Sequence, residues 1–168
     1  MRILGIDPGS RVTGFGVVDS DGRRSLWVDS GCLRVQGEGL PERLGCIFRR
    51  VQDLIHEHRP EVMAIEQVFV SRNPDSALKL GQARGAAICA GVQEGLAVAE
   101  YGPRVIKQAV VGTGAATKEQ MQHMVTMILA LSRRPASDAA DALAVALCHA
   151  HTQATLARLP AALAGRGR

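Results

Sequence analysis

The run Ile3-Leu4-Gly5-Ile6, stopped by Asp7-Pro8, constrains the fold more than any other stretch of the chain. A short apolar run of this kind reads as a buried strand. Proline, which has no N–H to give to a sheet ladder, ends it. Asp7 therefore stands at the carboxyl end of a core strand. Gly9 and Ser10 suit a tight turn, and Phe15 to Val18 returns antiparallel as the second half of a hairpin. Alone, Asp7 reads equally as a turn aspartate, since Asp is a preferred turn residue, and as a carboxylate held rigidly for a metal ion or a phosphate. Other acids converging on it would decide between the two.

Asp21-Gly22 marks the next turn, and Ser25 to Leu33 supplies a third meandering strand. From Leu40 the pattern changes. Leu40, Leu44, Ile47, Val51, Leu54 and Ile55 recur at three and four residue steps, an amphipathic helix ended by Pro60, with Arg43 and Arg50 on its outer flank. Val62-Met63-Ala64-Ile65 is another buried strand, and Glu66 falls at its end as Asp7 falls at the end of the first. Residues 69–76 form a polar loop holding Phe69, Arg72, Asn73 and Pro74. The stretch 77–95 that follows is rich in small residues, among them Gly81, Ala83, Gly85, Ala87, Ala90 and Gly91. Glycine inside a helix costs roughly 1 kcal/mol relative to alanine, so these ask for close helix approach, within the domain or across a dimer. Leu96 to Tyr101 is a fifth strand, and Pro103 opens a short helix carrying Lys107. Thr117 with Gln120 forms a capping box ahead of a helix that carries Lys118. The last helix is expected over 138–151, with Ala139, Leu143, Ala146, Leu147 and Ala150 facing inward. One domain is expected over 1–153, followed by a flexible, arginine-bearing tail over 154–168.

The aromatic share is only 3%, so each ring is worth placing. Phe15, Trp27, Phe48 and Tyr101 fit apolar patterns and are expected in the core. Phe69 follows an acid-tipped strand and precedes Arg72, a place where a phenyl ring could equally meet a nucleic-acid base. A formal charge of +4 around acidic motifs suits a polyanion substrate cut with metal help, although mild basicity is common among soluble proteins. Cys32, Cys46, Cys89 and Cys148 lack metal-ligand spacing and read as small buried thiols in a reducing compartment. No signal peptide precedes the first strand and no run approaches a membrane span, so a cytoplasmic protein is expected.

Asp138 and Asp141, three apart at the start of the last helix, project from one face of the same turn. As a pair they read as helix-dipole partners as readily as ligands. A helix packed on the sheet, however, brings them to the edge where Asp7 and Glu66 end their strands. Four carboxylates that close raise one another's pKa, and divalent cations resolve the conflict. Oxygen ligands without His or Cys favour Mg²⁺ or Mn²⁺, and two such ions about 4 Å apart can activate a water and stabilise the leaving oxygen of a phosphodiester.

These residues carry a family resemblance. Ile-Leu-Gly-Ile-Asp-Pro-Gly-Ser at 3–10, Thr-Gly-Phe-Gly at 13–16, Ala-Ile-Glu-Gln-Val-Phe at 64–69, Ser-Ala-Leu-Lys-Leu-Gly-Gln-Ala-Arg-Gly at 76–85, Ile-Lys-Gln at 106–108 and Asp-Ala-Ala-Asp-Ala-Leu-Ala at 138–144 resemble the RuvC family of bacterial Holliday junction resolvases. The resemblance covers about residues 1–153, in order. It implies an α/β, ribonuclease H-like fold, with a mixed five-stranded sheet flanked by helices. It also implies a homodimer, junctions supplied by RuvA and RuvB, and paired Mg²⁺-dependent incisions in opposing strands of four-way junction DNA during recombination and repair. The family's catalytic and metal-binding tetrad falls on Asp7, Glu66, Asp138 and Asp141, its junction-contacting aromatic on Phe69, and its basic positions on Lys107 and Lys118. Arg72, beside Phe69, joins them as a DNA contact. Three rivals compete: a nucleotide-binding ATPase or sugar-kinase domain, a basic DNA-binding module whose acids are only caps, and the same fold acting on structured RNA.

Overall fold

The middle strand of the sheet is β1 (Arg2–Asp7), in a computed structural model that describes residues 1–67 and 73–158. It pairs antiparallel with β2 (Val12–Ser20), which pairs antiparallel with β3 (Ser25–Arg34). On its other side β1 runs parallel to β4 (Val62–Glu66), and β4 runs parallel to β5 (Ala97–Tyr101). The sheet is therefore mixed, in the order β3-β2-β1-β4-β5. Parallel neighbours need crossovers, and α1 (Leu40–His58) and α2 (Pro74–Gln93) supply them. After β5 come α3 (Pro103–Val111), α4 (Lys118–Ile128) and α5 (Ser137–Arg158).

Strand side chains alternate between faces, and the core divides accordingly. Leu4, Ile6, Phe15, Val17, Met63 and Ile65 pack with α1 and α2, whereas Ile3, Val18, Val62 and Ala64 pack with α3, α4 and α5. The same two-residue step places Asp7 with Ile3 and Gly5, and Glu66 with Val62 and Ala64. Both acids thus emerge on the α5 side, one step beyond the paired Ile6 and Ile65.

α5 is buried on every side from Ala139 to Ala150 apart from Asp141, because the sheet lies beneath it and α3 and α4 flank it. It also runs to Arg158, past the expected end at His151. Its backbone rests directly on the strands. A Cβ added to Gly5 would overlap the Ala142 carbonyl oxygen, and one added to Gly14 would overlap the Asp138 carbonyl oxygen and stand 2.5 Å from its carbon. Only residues without a side chain permit that approach.

Some expectations change. α2 begins at Pro74, earlier than the residue pattern suggests, because Asn73 accepts hydrogen bonds from the N–H groups of Asp75 and Ser76 and proline suits the first helical turn. Trp27 is exposed, not core: the β2–β3 register shifts between Val17 and Val18, Val28 is left without a partner, and the indole N–H turns to Ser30 Oγ at 3.0 Å. Phe15 is buried, and Phe48 and Tyr101 are half-buried. Of the four cysteines, all free, only Cys148 is buried, while Cys46 is half-buried and Cys32 and Cys89 are exposed. No helix among the described residues is long and apolar enough to cross a membrane.

Candidate active site

Three carboxylates meet at the carboxyl edge of β1. Single oxygens of Asp7, Asp138 and Asp141 lie within 4.8 Å of one another. Asp7 is held from behind by its turn: the buried Thr13 hydroxyl donates to the Gly9 carbonyl at 3.0 Å, closing the β1–β2 connection. Asp138 and Asp141 arrive on the first turn of α5, where the Gly14 contact seats the helix start. Glu66 stands beside this trio and shares with Asp7 and Asp141 a cleft of about 360 Å³. Lys107 from α3 and Lys118 from α4 line the same cleft, and Ile106, Met121 and Ala144 form an apolar wall. Lys118 Nζ is 3.5 Å from Asp141 Oδ2.

Burial first, and then the charges of Glu66, Asp141 and Asp138, push the Asp7 carboxyl up to about 7, with Lys118 opposing. Glu66 is pushed up by burial and Asp141, against Lys107 and Lys118, and Asp141 by burial, against Lys118. Two ammonium groups do not balance four carboxylates. An all-oxygen donor set, crowded and under-compensated, fits hard divalent cations of the Mg²⁺ or Mn²⁺ kind. The pH dependence follows. A carboxyl whose folded pKa is raised stabilises the fold in its protonated form, fully below the ordinary carboxylate range, and loses that contribution as pH rises through about 7. In EDTA the protein should therefore lose on the order of a few kcal/mol of stability from Asp7 across that window. Melting temperatures in EDTA, measured from acid to mildly alkaline pH, should fall for the parent and fall less for Asp7→Asn. Equal slopes would contradict the crowding described here.

The structure brings together Asp7, Glu66, Asp138, Asp141, Lys107 and Lys118. Phe69 and Arg72 lie outside the described residues. The residue pattern missed two neighbours of the cluster. Cys32, paired across the ladder with Gly14, sits close enough to the cluster that burial together with the charges of Asp138 and Asp7 pushes its thiol up. Ser137 hydrogen-bonds Lys118 Nζ at 3.4 Å. Neither has a spacing signal, because both adjacencies arise only when α5 docks on the sheet and α4.

A family model described as crossover junction endodeoxyribonuclease RuvC matches residues 3–149. The crossover junction endodeoxyribonuclease RuvC of Marinobacter nauticus is 60% identical over 157 residues, covering 94% of this chain and 90% of that protein. The structure of Thermus thermophilus RuvC in complex with Holliday junction substrate is similar with a TM-score of 0.86 and 39% identity, over 92% of this chain and 96% of that one. The yeast mitochondrial Holliday junction resolvase Ydc2, at 10% identity and a TM-score of 0.65 over 94% of this chain and 83% of that one, shares the fold.

Proposed function

The chain belongs to the RuvC family of crossover junction endodeoxyribonucleases, and from that premise we propose that it resolves four-way DNA junctions by metal-dependent cutting of two opposing strands. The observation that carries the reading is the meeting of Asp7, Asp138 and Asp141 within 4.8 Å. Asp7, Glu66, Asp138 and Asp141 would hold Mg²⁺, with Mn²⁺ as a substitute and two ions per site. When bound, such ions supply an activated water and neutralise the leaving oxygen, so no protein nucleophile is required. The chain's own part is to fix four oxygen donors on rigid strand ends and one helix start. Lys107 and Lys118 meet the phosphates that enter the cleft, and the apolar wall limits access of bulk water to it.

Phe69 belongs to this reading as the ring that stacks on a base unpaired at the strand exchange, with Arg72 on a neighbouring phosphate. Stacking of this kind contributes about 1–3 kcal/mol per base. Two cuts call for two sites, and the outward stripe of α2 supports a homodimer. Gly81 and Gly85 meet no atom within 4 Å of an added Cβ, and Leu78 and Val92, exposed at 68% and 60%, continue the same face. Gly91, in contrast, packs on Met63, and Ala87 is buried in the core. Sedimentation as a monomer that still makes paired cuts would contradict the dimer. The same reading takes residues 1–153 as the nuclease domain, RuvA and RuvB as the suppliers of junctions, and the cytoplasm as the place of action.

The test is a comparison of a strand-labelled four-way junction with duplex RNA of matched length, both in Mg²⁺. Nicks at symmetric positions in two opposing junction strands, with the RNA left intact, are expected. Cleaved RNA beside an intact junction would transfer the fold to the rival substrate.

A further inference from the structure

We infer that Ser137 is a positioning residue that holds the Lys118 ammonium at the rim of the acid cluster; this rests on the assignment of Lys118 to the cutting site. Lys118 is the first residue of α4. Its backbone is fixed by the capping box in which the Thr117 hydroxyl accepts from the Gln120 N–H and the Gln120 side chain accepts from the Thr117 N–H. Its side chain is nevertheless 74% exposed, and a lysine stem carries enough rotamer freedom to leave its charge undirected unless something anchors it. Two groups do so: Asp141 Oδ2 at 3.5 Å and Ser137 Oγ at 3.4 Å.

The two anchors differ in kind. Asp141 is one of the crowded carboxylates, and cations taken up by the cluster compete with the ammonium for its charge. The Ser137 hydroxyl is neutral, so its hydrogen bond survives that competition. It is also free for the task. The first turn of α5 is closed by the Ala140 N–H donating to the Ala136 carbonyl at 2.8 Å, without help from the Ser137 side chain. Among the described residues, the hydroxyl's hydrogen-bond partner is Lys118, whose Nζ donates to it. The starts of α4 and α5 are themselves tied together, since Gln122 Nε2 donates to the Pro135 carbonyl at 2.6 Å and Met121 of α4 is buried in the core that α5 shares. A hydroxyl on one fixed helix start thus sets the position of a charge on another, next to Asp138.

The experiment combines single-turnover junction cleavage, junction binding and side-chain NMR on the full chain. Ser137→Ala should lower the cleavage rate about 5-fold, the effect of losing one hydrogen bond to a charged group at an exposed site, with junction affinity within about twofold of the parent. Ser137→Thr, which keeps the hydroxyl, should recover most of the rate. In Mg²⁺ without DNA, where cations compete for Asp141, the Lys118 side chain should lose NMR order in Ser137→Ala and retain it in Ser137→Thr. In a Lys118→Ala background, Ser137→Ala should add nothing. Parental cleavage by Ser137→Ala while Lys118→Ala is impaired overturns the inference alone. A further loss in the Lys118→Ala background also overturns it, because the hydroxyl would then act on the helix and not on the lysine. Parental cleavage by Lys118→Ala overturns the assignment of Lys118 and the inference with it.

Discussion

Asp7→Asn should bind a four-way junction in EDTA at least as tightly as the parent while cutting it, in Mg²⁺, at least about 100-fold more slowly. Affinity for DNA comes chiefly from lysine and arginine contacts with phosphates, and the asparagine touches none of those. It removes one of the charges that repel the same phosphates. The side chain is nearly isosteric, so the turn closed by Thr13 and Gly9 stays in place. What changes is the donor set: an amide oxygen is a poorer ligand for a hard cation than a carboxylate, and Asp7 is one of the trio completed by Asp138 and Asp141. Gel-shift and single-turnover assays on one preparation separate the two effects. If the variant cuts at close to the parental rate, Asp7 is only a turn residue.

Gly14→Ala should produce a similar loss of cutting through geometry alone. The added methyl group would stand 2.5 Å from the Asp138 carbonyl carbon and closer still to its oxygen, so the start of α5 has to move by about 1 Å. A displacement of that size can cost on the order of 100-fold in rate. Asp138 and Asp141 move together because they share the turn, whereas Asp7 and Glu66 stay with the sheet. Overpacking of this kind typically costs about 1–3 kcal/mol, so the melting temperature should fall by several degrees without loss of the fold, and junction binding should persist. Parental cleavage by Gly14→Ala would show that the contact between α5 and β2 is not what aligns the acids.

The parts of this site that local chemistry specifies were legible in the sequence. Two short apolar runs ending in Asp7 and Glu66, the Thr117–Gln120 capping box and the three-residue spacing of Asp138 and Asp141 all appear where the pattern places them. The parts set by tertiary packing were not. α5 looked one-sided because alanine is narrow enough to read as either face, yet sheet and helices enclose it from Ala139 to Ala150 apart from Asp141. Trp27 looked buried because it fits the loose apolar alternation of its strand, but on the edge strand, past the register shift between Val17 and Val18, both it and Leu26 are exposed. The small residues of α2 read as one group, and the fold divides them, sending Ala83, Ala87 and Gly91 inward and Gly81 and Gly85 outward. The contact between Ser137 and Lys118 joins two helix starts 19 positions apart, and no spacing rule reaches that far.

The separation of DNA binding from metal-dependent chemistry is tested most directly by a change of cation on a single preformed complex. Parent protein and a strand-labelled four-way junction are combined in Ca²⁺, whose larger and looser coordination supports binding but does not hold the in-line geometry, and Mg²⁺ is then added in excess. The predicted result is a bound, intact junction in Ca²⁺ that is nicked at symmetric positions in two opposing strands once Mg²⁺ is present. Cutting at the same rate in EDTA as in Mg²⁺ would contradict the assignment of the chemistry to Asp7, Glu66, Asp138 and Asp141.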